Sequence, residues 1–299
     1  MKKKTVGGQA LIEGVMMKNR DLVAVAVRKP NGEIEVEKRR VDSFMIKHKI
    51  DKIPFLRGCF ALFESMEEGI NSLTYSASFY EEGSEDSFDK MMKKIFKENA
   101  EKVVMGLSIF LALGFSIGLF ILLPTLIGGI MKSAFGGNSF FLNMLEGIFR
   151  ISIFFLYVFL VSKNKEIYRV FQYHGAEHKT IFCYESDEEL TVENVKKYGR
   201  LHPRCGTNFM FIVLVVSTIF FSLWGWPNPI VRIAMRLIFL PIVAGISYEI
   251  IKLAGNCKNS FLSFFVAPGL WLQKITTQEP EEDQIEVAIA SLKAVIEGE

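Results

Sequence analysis

The run "VVMGLSIFLALGFSIGLFILLPTLIGGIM" (103–131) carries no charged side chain over 29 positions. At about 1.5 Å per residue, a helix of that length outreaches a hydrocarbon core of roughly 30 Å. Part of it therefore tilts, kinks at Pro124 or lies outside the apolar layer. Working outward, three further apolar runs follow at 140–162, 207–226 and 230–251. The second holds Glu146 and Arg150, spaced i, i+4, so the two can pair on one helix face. The third ends in tryptophans that suit a membrane interface. The fourth embeds Arg232, Arg236 and Glu249, and its arginines are expected to snorkel or to pair with Glu146. The expected fold class is mainly α: a polytopic helical membrane protein with about four transmembrane helices, plus a small N-terminal cytoplasmic α+β part containing a β-hairpin.

The chain has 299 residues, half of them hydrophobic, with 27 Phe and a net charge of +2. Long uncharged runs in so apolar a chain argue for the lipid bilayer as its main partner, and the small net charge argues against nucleic acid. The four cysteines (Cys59, Cys183, Cys205, Cys257) are widely spaced and read as reduced thiols. The start, "MKKKTVGGQALIEG", is basic but lacks a following apolar core, so no cleaved signal peptide is expected.

Charge in the loops gives orientation. Residues 163–206 hold eight Lys or Arg and residues 90–102 hold five lysines, whereas Lys132 stands alone between the first two spans. Both termini and the 163–206 loop should then be cytoplasmic.

Outside the spans, "LVAVAVR" (22–28) and "EIEVE" (33–37) alternate around a "KPNG" turn and predict the hairpin. "VGGQALIEGVMMK" (6–18) is expected to pack beneath it, its Gly7-Gly8 pair permitting close backbone approach. Residues 55–75 place Leu56, Phe60, Phe63, Met66, Ile70 and Leu73 at helical spacing, with Glu64, Glu67 and Glu68 between. That predicts an amphipathic helix lying on the bilayer or on a partner element. "EEGSEDSFD" (81–89) reads as an acidic linker, 260–273 as an interfacial or re-entrant segment, and 280–299 as an amphipathic helix opened by Pro280 and acids. Its apolar stripe is Ile285, Ala288, Ile289, Leu292, Val295 and Ile296. The resulting segments are 1–54 (hairpin region), 55–102 (amphipathic helix and linker), 103–162 (first two spans), 163–206 (cytoplasmic loop), 207–251 (last two spans) and 252–299 (interfacial segment and C-terminal helix).

The chemistry concentrates in "YHGAEHKTIFCYE" (173–185) and "LHPRCGTNF" (201–209). On a helix, His174 and His178 sit one turn apart and can converge on one cation, with Glu177 near the same face as a general base. The string H-x-x-E-H is the inverzincin pattern. His202 and Cys205 supply further zinc-compatible donors, so a divalent metal, zinc by preference, is the expected cofactor. All four donors together would close a structural site, and leaving one out would keep a position for water or substrate. Glu249, deep in an apolar run, is a possible further ligand or base, and Glu13 could complete the site if the N-terminal part docks on the 163–206 loop. A shared site requires the 179–201 connection to fold back on the histidine helix, with His174, His178 and His202 converging and Cys205 beside them or as fourth ligand.

Taken together, "GGQALIEGVMMK", "YHGAEHKTIFCYE", "LHPRCGTNF", "AGISYE" and "TTQEPEEDQIEVAI" resemble, in order and over nearly the whole chain, the YqhQ-like family of bacterial membrane proteins. The resemblance implies a multi-pass protein of the bacterial inner membrane, described as a predicted metal-dependent enzyme. The matching site positions are His174, Glu177, His178, His202 and Cys205, with Glu13 in the N-terminal motif. Unlike inverzincins, whose third ligand is an acid on a later soluble helix, this chain marks none of Glu185, Glu188, Glu189, Glu193 or Glu249 for that role. The expected function is a cytosol-facing metal-dependent hydrolase of undetermined substrate. The alternative is a scaffold or transport component with a structural metal site or a polar network.

Overall fold

Strand β3 (Leu22–Arg28) reads LVAVAVR, and its inner five residues are buried. Buried alternately on two faces, such a strand must be covered from both sides. In the computed structural model, which describes residues 6–80, 91, 94–96, 100–256 and 269–297, it is central in an antiparallel meander. The order is β1 (Gly7–Leu11), β2 (Gly14–Asn19), β3 and β4 (Ile34–Arg40). The hairpin expected around "KPNG" is present, with Gly32 supplying the left-handed turn residue at φ 88°. The 6–18 segment does not pack beneath this hairpin. It forms two more strands, turned at Ile12-Glu13, with Glu13 itself at φ 49°. Its two glycines and two polar residues hide the strand alternation, and pairing with β3 is what supplies it.

The described residues are mainly helical and divide into two units. The first gathers Met1–Tyr80, Phe155–Val216 and Pro241–Glu299. One face of its sheet, with Val15, Met17, Ala24 and Ala26, shares a core with two helices. These are the histidine helix Lys165–Glu185 and the C-terminal helix Glu282–Ile296. Small Ala24 and Ala26 let the helices come close, and Ile285, Ala288, Ile289, Leu292 and Val295 fill the space as the predicted stripe. A capping box between Glu281 and Gln284 starts that helix. The other sheet face, with Leu11, Met16, Val23, Val25 and Val27, meets Tyr75 and Phe79 at the end of the helix Leu56–Ser78.

That helix is the expected amphipathic one, and its apolar stripe faces away from the sheet. Phe63, Met66, Ile70 and Leu73 are between 42% and 60% exposed, while Gly58, Glu68, Gly69, Ser72 and Ser76 are buried. Glu68 is paired with Arg39 of β4. The first turn is tied to the helix Leu240–Asn256, where Glu249 accepts Arg57 Nε at 2.7 Å, Arg57 Nη2 at 2.5 Å and the Phe55 N–H at 3.2 Å.

The second unit comprises Glu81–Phe154 and Ser217–Leu240. Its first long helix runs to Phe135 and contains a single π-turn at Gly118–Leu122, just before Pro124. Proline has no N–H for the carbonyl four residues back. Here that carbonyl belongs to Phe120, and Arg150 Nε donates to it at 2.9 Å. Fully buried Glu146 is shared by Arg150 (3.1 Å), Arg232 (3.0 Å) and Arg236 (2.5 Å), so the expected pairings form.

Among the described residues, Val103–Phe135 and Ser139–Val161 are long and apolar enough to cross a membrane. Pro229–Ile238 with Leu240–Leu253 makes a third if the broken pair is one span. Gly206–Ser222, the expected third span, is apolar but shorter. Two or three helices, not four, therefore meet the requirement. The linker 81–89, Cys257 and most of the 260–273 segment lie outside the described residues. Residues 269–276 are helical, and Cys59, Cys183 and Cys205 are free thiols.

Candidate metal centre

Asn164 caps the histidine helix, its side chain accepting the N–H groups of Glu166 and Ile167. One turn of this helix then carries His174, Glu177 and His178, with the two imidazole centroids 4.5 Å apart. Each ring is oriented by a backbone carbonyl. His174 Nδ1 lies 2.8 Å from the Thr276 carbonyl, and His178 Nδ1 lies 2.5 Å from that of Arg200. A carbonyl only accepts, so Nδ1 carries a proton in both rings, and in the neutral imidazole the lone pair is then on Nε2. This is the arrangement in which imidazoles ligate metals through Nε2.

The chain after the histidine helix does fold back, as a shared site requires. His202 N–H donates to Gln273 Oε1 at 2.7 Å, and Gln273 Nε2 donates to the His202 carbonyl at 2.8 Å. Gln273 also reaches Asn208 Oδ1 at 3.1 Å, and Asn208 Nδ2 donates to the Pro203 carbonyl at 2.7 Å. These bonds fix the "HPRC" loop so that Cys205 Sγ sits 3.2 Å from His174 Nε2. One donor atom each from His174, His178 and Cys205 lies within 4.8 Å of the others.

His202 is a neighbour of this group and not one of the three. Its ring centroid is 5.5 Å from that of His178 and 4.5 Å from that of Phe182. Its Nδ1 accepts the Arg204 N–H, and its Nε2 is 3.8 Å from Glu185. Glu185 is also paired with Arg204, and the His202 contact foremost holds its carboxyl below the usual range.

Glu177 is buried, with Oε2 3.4 Å from His178 Nε2. Burial pushes its carboxyl above the usual range, and His174 and His202 only partly oppose the shift. A buried carboxyl beside two imidazoles and a thiol is a donor set that suits a divalent cation. A cavity of about 310 Å³ opens on Glu177, His178, His202 and Cys205, with Gly7 and Gly8 of β1 on its other side. A Cβ at Gly8 would lie 2.8 Å from Glu177 Cγ, so only glycine lets the strand come this close.

The N-terminal part thus docks on the histidine helix, but Glu13 points elsewhere. It holds Arg169 through two 2.5 Å contacts and accepts the Tyr173 hydroxyl at 3.1 Å. Burial and the Glu13 charge together push the Tyr173 hydroxyl well above its ordinary pKa. Glu249 is engaged by Arg57, as described above. Glu13, Glu249, Glu188, Glu189 and Glu193 all stand outside the three-donor group. Gln273 and Thr276 carry no chemical signature in the sequence. Their only signal was polarity within the apolar stretch "GLWLQKITTQEP".

Residues 53–298 match the model of the family described as protein of unknown function DUF1385, and the chain belongs to that family. It is 35% identical, over 97% of its own length and 92% of the relative's, to a Bacillus subtilis (strain 168) protein described as uncharacterized protein YqhQ. No solved structure matches the chain.

Proposed function

We propose that this chain is a multi-pass protein of the bacterial inner membrane with a cytosol-facing, metal-dependent hydrolytic site. His174, His178 and Cys205 hold the metal, zinc by the softness of the thiolate and imidazole donors. The observation that carries the reading is the pair of Nδ1–carbonyl contacts, which leaves each ring's Nε2 for a ligand role, in one group with Cys205 Sγ. A divalent metal held by these three residues would supply an acidified water and a Lewis acid. Glu177, buried beside His178 with its carboxyl raised above the usual range, would be the group placed to take a proton from that water and return it to a leaving group. Gln273 and the Arg200 and Thr276 carbonyls orient the ligands.

Four spans remain part of this reading, with the broken pair as one and Gly206–Ser222 as a short one. The grouping of 1–80, 155–216 and 241–299 into one unit supports placing both termini and the 163–206 loop on the same membrane side. Elemental analysis of protein purified in mild detergent tests the metal. Near-stoichiometric zinc that disappears in His174→Ala/His178→Ala is expected, and protein that neither holds nor takes up metal defeats the proposal.

The nearness of His202 to His178 favours a second reading, a closed structural site with four protein ligands and no chemistry. X-ray absorption on the metal-loaded protein separates the two. Three nitrogen or oxygen ligands and one sulfur appear in either case, so the deciding variant is His202→Ala. That change leaves the coordination shell unaltered in the enzyme and disturbs it in the scaffold.

A further inference from the structure

Three cavities follow one another around the free edge of the N-terminal sheet. The inner one, about 310 Å³, is that of the metal centre, and Gly7 and Gly8 line it. The same two glycines line a second cavity of about 190 Å³ on the other side of β1, together with Gln9, Lys18 and Glu68. Gln9 and Ser65 then pass from the second to a third, about 290 Å³, walled by Met66, Ile70 and Leu73. Strand alternation explains the path. Gly8 faces Glu177, whereas Gly7 and Gln9 face the 56–78 helix, where Gly69 lets the Gln9 side chain approach. β1 is an edge strand and begins with two glycines, so Gly7 and Gly8 themselves put no side chain between the two faces.

The outer cavity belongs to the exposed apolar stripe of the 56–78 helix. The start of that helix is held to the apolar helix Leu240–Asn256 by Arg57–Glu249, with Gly58 packed on Tyr248. An amphipathic helix fixed in this way to an apolar helix that forms half of a candidate span has the placement of one that would lie at a membrane face, apolar side toward the acyl layer. Polarity also changes along the path, from Met, Ile and Leu outside, through Lys18 and Glu68, to histidine, carboxylate and thiol inside.

We propose that the site takes a bilayer phospholipid, its acyl chain seated on Met66, Ile70 and Leu73 and its polar head led past Gly7-Gly8 to Glu177 and His178. This rests on reading the His174–His178–Cys205 group as the reacting centre. The lipid enters sideways from the bilayer, and the head alone rounds the sheet edge. Lys18 lines the middle cavity, where a phosphate would pass.

The test uses the full chain in detergent micelles containing a phosphatidylglycerol with a diazirine at the end of one acyl chain. Adducts are mapped by peptide mass spectrometry, and metal content is measured on the same samples. A Cβ at Gly7 meets nothing within 4 Å, and the residue has no positive φ, so a side chain can start there, and Gly7→Trp is the variant chosen to obstruct the middle cavity. Wild type and Gly7→Ala should label the segment 66–73, and Gly7→Trp should lower that labelling about tenfold with metal content unchanged. Equal labelling in Gly7→Trp means only a non-specific lipid film on the helix, and overturns the proposal. So does wild-type protein that labels elsewhere. If Gly7→Trp loses metal or fails to fold, Ile70→Asp/Leu73→Asp decides by the same loss or retention, read as binding of the lipid phosphate on quantitative phosphorus analysis. Wild type that neither holds nor takes up metal yet still labels 66–73 overturns the metal reading and leaves the lipid route standing.

Discussion

His174 Nε2 lies 3.2 Å from the sulfur of Cys205, 31 residues further along the chain. That contact brings the Cys205 sulfur into one group with His174 and His178, although His202 is the more familiar ligand type. Two hydrogen-bonding groups of Thr207 also reach the sulfur, the N–H at 3.4 Å and the hydroxyl at 3.2 Å.

Cobalt substitution reads this donor directly. Protein loaded with Co²⁺ should show a thiolate-to-metal charge-transfer band that vanishes in Cys205→Ser and persists in His202→Ala. Gln273→Ala, which releases the loop bearing Cys205, should weaken metal retention about 10–100-fold, as loss of a ligand's supporting hydrogen bonds typically does. A band that survives Cys205→Ser would show that the sulfur is not a ligand.

Gly8 and Gly7 are neighbours with opposite expectations. A Cβ at Gly8 would fall 2.8 Å from Glu177 and 2.9 Å from the Met16 carbonyl, and the backbone oxygen cannot swing away. Gly8→Ala should cost about 1–3 kcal/mol through overpacking, while Gly7→Ala should be near neutral. Thermal unfolding in detergent compares them. Equal melting points would mean that β1 does not lie against Glu177.

Glu13 tests whether a candidate residue is part of the chemistry or of the scaffold. Its two contacts to Arg169 are partly exposed, with the arginine side chain 42% accessible. Glu13→Gln should therefore cost about 1 kcal/mol and leave metal content untouched. Loss of metal without loss of stability would instead return Glu13 to the site.

The Glu146 cluster should be far less tolerant. One buried carboxylate serves three guanidinium groups, so Glu146→Gln strands buried positive charge at about 3–5 kcal/mol. The variant should unfold at lower detergent or temperature stress than wild type. A melting point within a degree or so of wild type would mean the arginines find other partners.

Orientation is checked separately by labelling cysteines added near Asn138 and Asn194. The first should react from outside the cell and the second only after permeabilisation. The reverse pattern would put the histidines on the outer side.

The sequence alone determined what depends on neighbours along the chain. Hydropathy over 103–131 and 140–162 marks two membrane-competent helices because solvation of an apolar run needs no tertiary partner. Helical spacing put His174, Glu177 and His178 on one turn, "KPNG" turned the hairpin, and the stripe from Ile285 to Val295 marked the C-terminal helix. Tertiary structure decided whatever hangs on long-range pairing. The strands in 6–18 take their alternation from β3. The half-buried acids found partners far away, Glu13 at Arg169, 156 residues on, and Glu249 at Arg57, 192 residues back. Cys205, and not His202, has its donor atom grouped with those of His174 and His178, in a loop that Gln273 holds. A side-chain amide 71 residues from His202 sets which donor points inward, and no local spacing rule contains it.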